Sequence, residues 1–218
     1  MRPPALRPLL VAVVLASIVA PPVRAVADAD PAPARPLRWQ VGVQSSGSWR
    51  SRFDVFDRDG VPPGAVAKWA NGGGVFVGRR FGDRFVGQLL VSFARHDIEG
   101  VASRIGDVEL LLTGTVLLGP ERTVQPFLRG GIGGGGQAFE TEDGDGNLIA
   151  FGPAAIAGGG AQLRLGRRVS LELEAVGTFT NFLQVDDLTN GARWGGGDWQ
   201  VRTSNWGWRL GVGWAFWF

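Results

Sequence analysis

The chain is written, over most of its length, in alternation. Residues 168–181 place Val169, Leu171, Leu173, Ala175 and Phe179 on one parity, and Ser170, Glu172, Glu174 and Thr178 on the other. Residues 104–118 repeat the pattern with Val108, Leu110, Leu112, Val116 and Leu118 against Asp107, Glu109, Thr113 and Thr115. The last residues, WGWRLGVGWAFWF from Trp206 to Phe218, set large apolar residues at even positions and small or charged ones at odd positions, Trp217 excepted. A period of two is the mark of strands with unlike faces. The pattern predicts eight strands, at about 38–49, 67–80, 84–97, 104–118, 124–139, 150–166, 168–181 and 201–218, on the alternation rule. Strand 2 is the faintest, because the run Gly72-Gly73-Gly74 erases the alternation.

The connections alternate too. Those after strands 2, 4 and 6 are tight, whereas those after strands 1, 3, 5 and 7 are longer and polar. Short turns at one end and long loops at the other, with an even strand count, is the plan of an outer-membrane barrel. The fold class expected is therefore all-β, an eight-stranded antiparallel up-and-down transmembrane β-barrel with both termini periplasmic. Trp39 and Trp49 lie ten residues apart on one face, as do Trp208 and Phe218. Ten residues at about 3.3 Å each, tilted by roughly 40°, span about 25 Å, the height of a lipid-facing band. Trp39, Trp49, Phe179, Trp208 and Phe218 are the expected aromatic girdles.

The N-terminus bears on the compartment. Arg2 and Arg7 precede an apolar stretch from Leu9 to Ala20, and Ala25-Val26-Ala27 offers an A-x-A site. Residues 1–27 are expected to be a cleaved signal peptide, with cleavage after Ala25 the alternative. Residues 28–37 form a flexible lead-in, and 38–218 the barrel domain. After residue 27 no apolar run is long enough for a helical span, which leaves the closed barrel as the way to cross lipid. Removing the signal also removes three arginines. The remainder has 22 − 3 = 19 basic against 20 acidic residues, so charge gives no support for nucleic-acid binding. The 218 residues include no cysteine and one histidine, which leaves no disulfide framework and no zinc site.

The chain resembles the small eight-stranded outer-membrane barrels of Gram-negative bacteria, the OmpA-like and OmpX-like group. Gly213, Phe216 and Phe218 are similar to that group's C-terminal assembly signal, with Gly211 where a polar residue is usual. Residues 125–133 (QPFLRGGIG) resemble its P-aromatic-x-x-G-x-G strand. The resemblance implies an outer-membrane location, a lipid bilayer and lipopolysaccharide as surroundings, and the outer-membrane assembly machinery as a partner in biogenesis. It leaves activity open, because fold does not fix function.

Inward parity gathers Glu109, Arg129, Arg164, Glu172, Glu174 and Arg209 into an expected lumen charge network. Eight strands leave an interior just wide enough for side chains, so these charges should pair and plug it. His96 with Ser92 admits a lipid A acylhydrolase or acyltransferase as the alternative. Four residues along a strand is too far for a direct hydrogen bond between them. A narrow channel through the charge network is the other alternative. Asp143, Asp145 and Asn147 have the spacing of a calcium loop, but Leu148 and Ala154 stand where glycine and an acid are required. Neither a metal nor a cofactor is expected. The favoured role is a non-enzymatic barrel serving envelope integrity or binding an external partner through its loops. The loop candidates are Arg50, Arg52, Phe53, Phe56 and Arg58, and Leu188, Arg193, Trp194 and Trp199.

Overall fold

The computed structural model describes residues 38–51, 68–97, 104–119, 122–140, 147–187, 193–194 and 203–218. The expected signal peptide and lead-in, most of the first and last loops, and the Asp143 to Asp145 segment lie outside them. Seven strands follow one another as β1 (Trp39–Arg50), β2 (Trp69–Phe81), β3 (Phe85–Asp97), β4 (Arg104–Leu117), β5 (Val124–Glu140), β6 (Asn147–Arg164) and β7 (Val169–Phe182). Two short strands, β8 (Gln184–Asp187) and β9 (Arg193–Trp194), precede β10 (Thr203–Trp217). Each long strand pairs antiparallel with its chain neighbour, and β10 pairs with both β7 and β1. The sheet thus closes on itself as an eight-stranded barrel, and no edge is left among the long strands.

β8 continues β7 rather than adding a ninth stave. Ala154 pairs with Thr180, but Phe151 pairs with Gln184, so one extra residue intervenes on the β7 side. That is a β-bulge around Leu183, after which the strand carries on along β6.

The register fixes the barrel's geometry. Following paired residues from Gln40 through Gly78, Gln88, Thr113, Gly131, Ile156, Thr178 and Gly207 leads back to β1 at Arg50, ten residues further on. A stagger of ten over eight strands tilts them by about 40° and gives a backbone radius of about 8 Å. On this geometry the strand ends at the turns lie within roughly 5 Å of one plane. The loop ends instead climb by roughly 15 Å from β1 and β2 to β6 and β8. The lengths agree: β1 has 12 residues, β6 has 18.

Alternation is kept on every long strand, β2 included. Ala70, Phe76 and Gly78 point inward there, and Trp69, Val75 and Val77 outward. The outer wall is apolar, with Val41, Val43, Leu89, Leu110, Leu112, Leu128, Ile132, Leu210 and Trp214 all exposed. Such a surface has no place in water and matches a lipid-facing band. Trp49, Trp69, Trp206, Trp208 and Phe179 stand at the loop-end edge of this wall. Trp39, Phe81, Phe85, Phe216 and Phe218 stand at the turn-end edge.

The turns are short for a local reason. Gly82 and Gly119 take φ of 63° and 87°, in the left-handed region, where a residue with a Cβ is strained.

Candidate functional site: the filled lumen

Part of the interior is apolar. Phe76, Leu90, Leu111 and Ile156 form a buried cluster with Ala154 and Ala215. Phe76 lies over Gly42, where a Cβ would come within 2.2 Å of its ring. Without that glycine a barrel this narrow could not admit the ring. At the turn end Val86, Leu117, Phe127 and Trp217 form a second cluster. Trp217 faces inward, as its parity predicts. Its Nε1 donates to Ser170 Oγ at 3.0 Å, and the Arg80 guanidinium lies 4.5 Å from its ring centroid.

The larger part of the interior is polar, and through it runs a chain of charged and polar groups. At the loop end, Arg50 donates from Nε to Asp107 Oδ2 at 2.9 Å and from Nη2 to Glu109 Oε1 at 2.6 Å. Its Nη1 donates to Thr178 Oγ1 at 2.9 Å. His96 Nε2 lies 3.2 Å from Asp107 Oδ2. Next along the lumen, Arg209 Nη1 donates to Glu109 Oε2 and to Ser92 Oγ, both at 3.0 Å. Ser92 Oγ in turn donates to Glu109 Oε2 at 3.1 Å. Arg209 Nε stands 3.5 Å from Glu174 Oε1, an ion pair too long for a hydrogen bond.

Arg129 continues the chain. It pairs with Glu174 through Nη1 and with Glu172 through Nη2, the latter at 2.9 Å. Its Nε donates to Thr115 Oγ1 at 3.0 Å. Gln162 Nε2 bridges Glu172 Oε1 (3.2 Å) and Ser170 Oγ (3.0 Å), which brings the chain to Trp217. Arg50 finds its room beside a glycine. At Gly207 a Cβ would come within 3.1 Å of Arg50 Cδ and 2.1 Å of the Trp49 carbonyl. Two cavities beside this chain, one near Arg50 and Arg209 and one near Arg129 and Trp217, have volumes of about 10 Å³ each. Each is room for about one water.

Of the six residues expected in the network, Glu109, Arg129, Glu172, Glu174 and Arg209 come together. Arg164 lies half-buried at the turn-end mouth, and among the described residues it forms no ion pair with those carboxylates. Arg50 departs from the sequence pattern. The pattern places it in the first loop, yet it ends β1, points inward and is almost fully enclosed. A polar residue after Trp49 looks like the start of a loop, when its partners Asp107 and Glu109 lie on a strand more than fifty residues away. His96, one residue from the loop end of β3, is 0% exposed and lies beside Asp107. Ser92 turns to Glu109 and Arg209 and not to His96, so the pair does not form a nucleophile with its base. Among the described residues no group of acidic and histidine side chains could hold a metal ion.

In fold, the chain matches the crystal structure of Neisserial surface protein A with a TM-score of 0.53 and 11% identity, over 83% of this chain and 97% of that one. The chain has the small outer-membrane-barrel fold. Lower-scoring likenesses to this barrel include AlkL, an outer-membrane protein solved in lipid bilayers, with a TM-score of 0.48, 14% identity, and 87% and 94% of the two chains covered. A major outer-membrane protein of Thermus thermophilus has a TM-score of 0.47 and 14% identity, with 83% and 99% covered. No family model matches the barrel's sequence, and no curated protein does.

Proposed function

We propose that this chain is a closed, non-enzymatic barrel of the Gram-negative outer membrane, with termini and short turns in the periplasm. Its lumen is a plug, and its work is done by its outer wall and long loops, in envelope integrity and in contact with an external partner. The observation that carries this reading is the continuous side-chain network from His96 and Arg50 to Trp217. Hydrated ions need a wet path of several ångströms, and spaces of about 10 Å³ beside paired charges do not supply one. An acyl chain approaching from lipid would not reach His96, which lies behind the wall. Lipopolysaccharide surrounds the loop end in this reading, and assembly through Gly213, Phe216 and Phe218 belongs to it.

The test is planar-bilayer conductance of the refolded chain, paired with lipid A mass profiles of cells carrying it or its His96→Ala variant. The reading expects no conductance steps and identical profiles. Stepwise conductance overturns the plug, and an acylation change that depends on His96 overturns the non-enzymatic role.

A further inference from the structure

The charge of the barrel is not spread evenly along its axis. Arg38, Arg79, Arg84, Arg122, Arg167 and Arg168 are all exposed at the turn end, and every strand-to-strand turn there contributes at least one. Arg80 and Arg164 add charge at the mouth itself, half-buried. In sequence the acids of these turns are Asp83 and Glu121, against six exposed arginines. At the opposite end the connections are mixed or acidic in sequence: β1–β2 holds, over residues 52–59, Arg52 and Arg58 with Asp54, Asp57 and Asp59, and β5–β6 holds Glu140, Glu142, Asp143 and Asp145 and no base.

Placement tells what the arginines meet. They stand where the apolar wall stops. Arg38 adjoins Trp39, Arg84 adjoins Phe85, and Arg168 adjoins Val169, all three neighbours exposed. The Arg79 guanidinium lies 5.4 Å from the Trp39 ring centroid and 5.5 Å from that of Phe81. Held against these rings, it stays at the edge of the band and does not reach away into water. Because the turn-end strand termini are nearly coplanar, the arginines form a belt at one depth, the depth of lipid headgroups. A planar guanidinium donates two parallel hydrogen bonds to a phosphate, so this chemistry suits an anionic phosphodiester.

We propose that the turn-end arginines form a binding belt for anionic phospholipid headgroups, which anchors the barrel in the phospholipid leaflet. This rests on the proposed sidedness, in which the turns face the periplasm. The belt selects phosphatidylglycerol-type lipids over zwitterionic ones, and fixes the depth of the barrel in the membrane. A soluble polyanion is the competing occupant. It would need no alignment with the apolar edge, and Arg79 would gain nothing from lying on Trp39 and Phe81.

The experiment uses the full chain refolded in phosphatidylethanolamine vesicles, with spin-labelled phosphatidylglycerol or phosphatidylcholine as probe. The immobilised lipid fraction reports the preference. The expected preference for phosphatidylglycerol is roughly fivefold at low salt, the size that one engaged arginine supplies, and it falls as salt rises. It should shrink towards parity in R38Q/R79Q/R84Q/R122Q/R168Q and persist in R95Q, which alters the opposite rim. If the multiple variant fails to show the folded gel band, R84Q/R122Q replaces it and should lose part of the preference. Equal association of both lipids, or a preference unchanged by the belt variants, overturns the proposal. So does loss of the preference on adding soluble muropeptide, which would mark a polyanion site. Sidedness is checked apart from this, with Asp83→Cys and an impermeant maleimide on intact cells. Protection supports the phospholipid leaflet. Labelling overturns the sidedness, and with it the phospholipid source, even where the vesicle preference stands.

Discussion

Arg209 on β10 and Glu109 on β4 meet at 3.0 Å across the full width of the lumen, from strands four places apart in a ring of eight. Neither is 5% exposed. A pair of this kind is costly to desolvate and more costly to break, since removing one partner leaves the buried network with an uncompensated charge in a low-dielectric interior, even though Glu109 keeps Arg50 and Glu174 keeps Arg129. Arg209→Ala leaves Glu109 and Glu174 each short of a cation. It should destabilise the barrel by about 3–5 kcal/mol. The urea midpoint of the folded gel band, in vesicles, measures this. The pairing Arg209→Met with Glu109→Leu should recover most of the loss, because one positive and one negative charge leave together and the balance of the network is restored, with Arg50 still on Asp107 and Glu174 still on Arg129. Equal losses in the single and double variants would contradict the pairing.

Adjacent residues on β4 should respond in opposite ways to one substitution. Leu112 is 65% exposed on the lipid-facing wall and Leu111 is 0% exposed inside. Leu112→Arg places a charge near mid-band and should cost about 2–4 kcal/mol. Leu112→Phe should be close to neutral. Leu111→Phe overfills the apolar cluster of Phe76 and Leu90 and should cost about 1–3 kcal/mol. Denaturation midpoints that do not separate the two leucines would remove the face assignment.

Trp217 seals the turn-end mouth by shape and by one hydrogen bond. Trp217→Ala should lose about 3–5 kcal/mol through the void it leaves. Trp217→Phe keeps much of the packing with Phe127 and Leu117 and forfeits the bond to Ser170. It should lose about 1 kcal/mol for that bond, plus a smaller packing term. The ordering of the three proteins in a urea series is the measurement.

Brominated acyl chains distinguish Trp214 from Trp217 directly. In single-tryptophan variants, Trp214, half-exposed on the wall, should be strongly quenched by lipids brominated along the chain. Trp217, enclosed three residues later, should be quenched little. Equal quenching would mean that the parity breaks at the end of β10.

Much of this barrel can be read from its letters because one face of every strand is apolar and the period is two. Leu171 against Glu172, or Leu110 against Glu109, needs no partner to be assigned a side. The run Leu110-Leu111-Leu112 hides its middle member, and Gly72-Gly73-Gly74 hides the strand around Phe76. What the local pattern does not carry is which residues meet inside. Arg50 reaches Asp107 and Glu109 because the stagger of ten residues lifts β1 to their height, and that stagger is a property of the closed ring. The same holds for His96 beside Asp107. Arg164 shares the inward parity of the network, yet its level sets it at the mouth, away from Glu172 and Glu174.

The climb of the loop ends from β1 to β8 has a geometric sequel. A barrel with one flat end and one oblique end is a wedge-cut cylinder, and its two sides are not equivalent to anything that settles on it. The low side, at β1 and β2, is a threshold, and the high side, at β6 and β8, a backboard. On the strand ends alone, a flat partner laid across this rim would meet β6 and β8 first and rest tilted, so the rim itself has a direction.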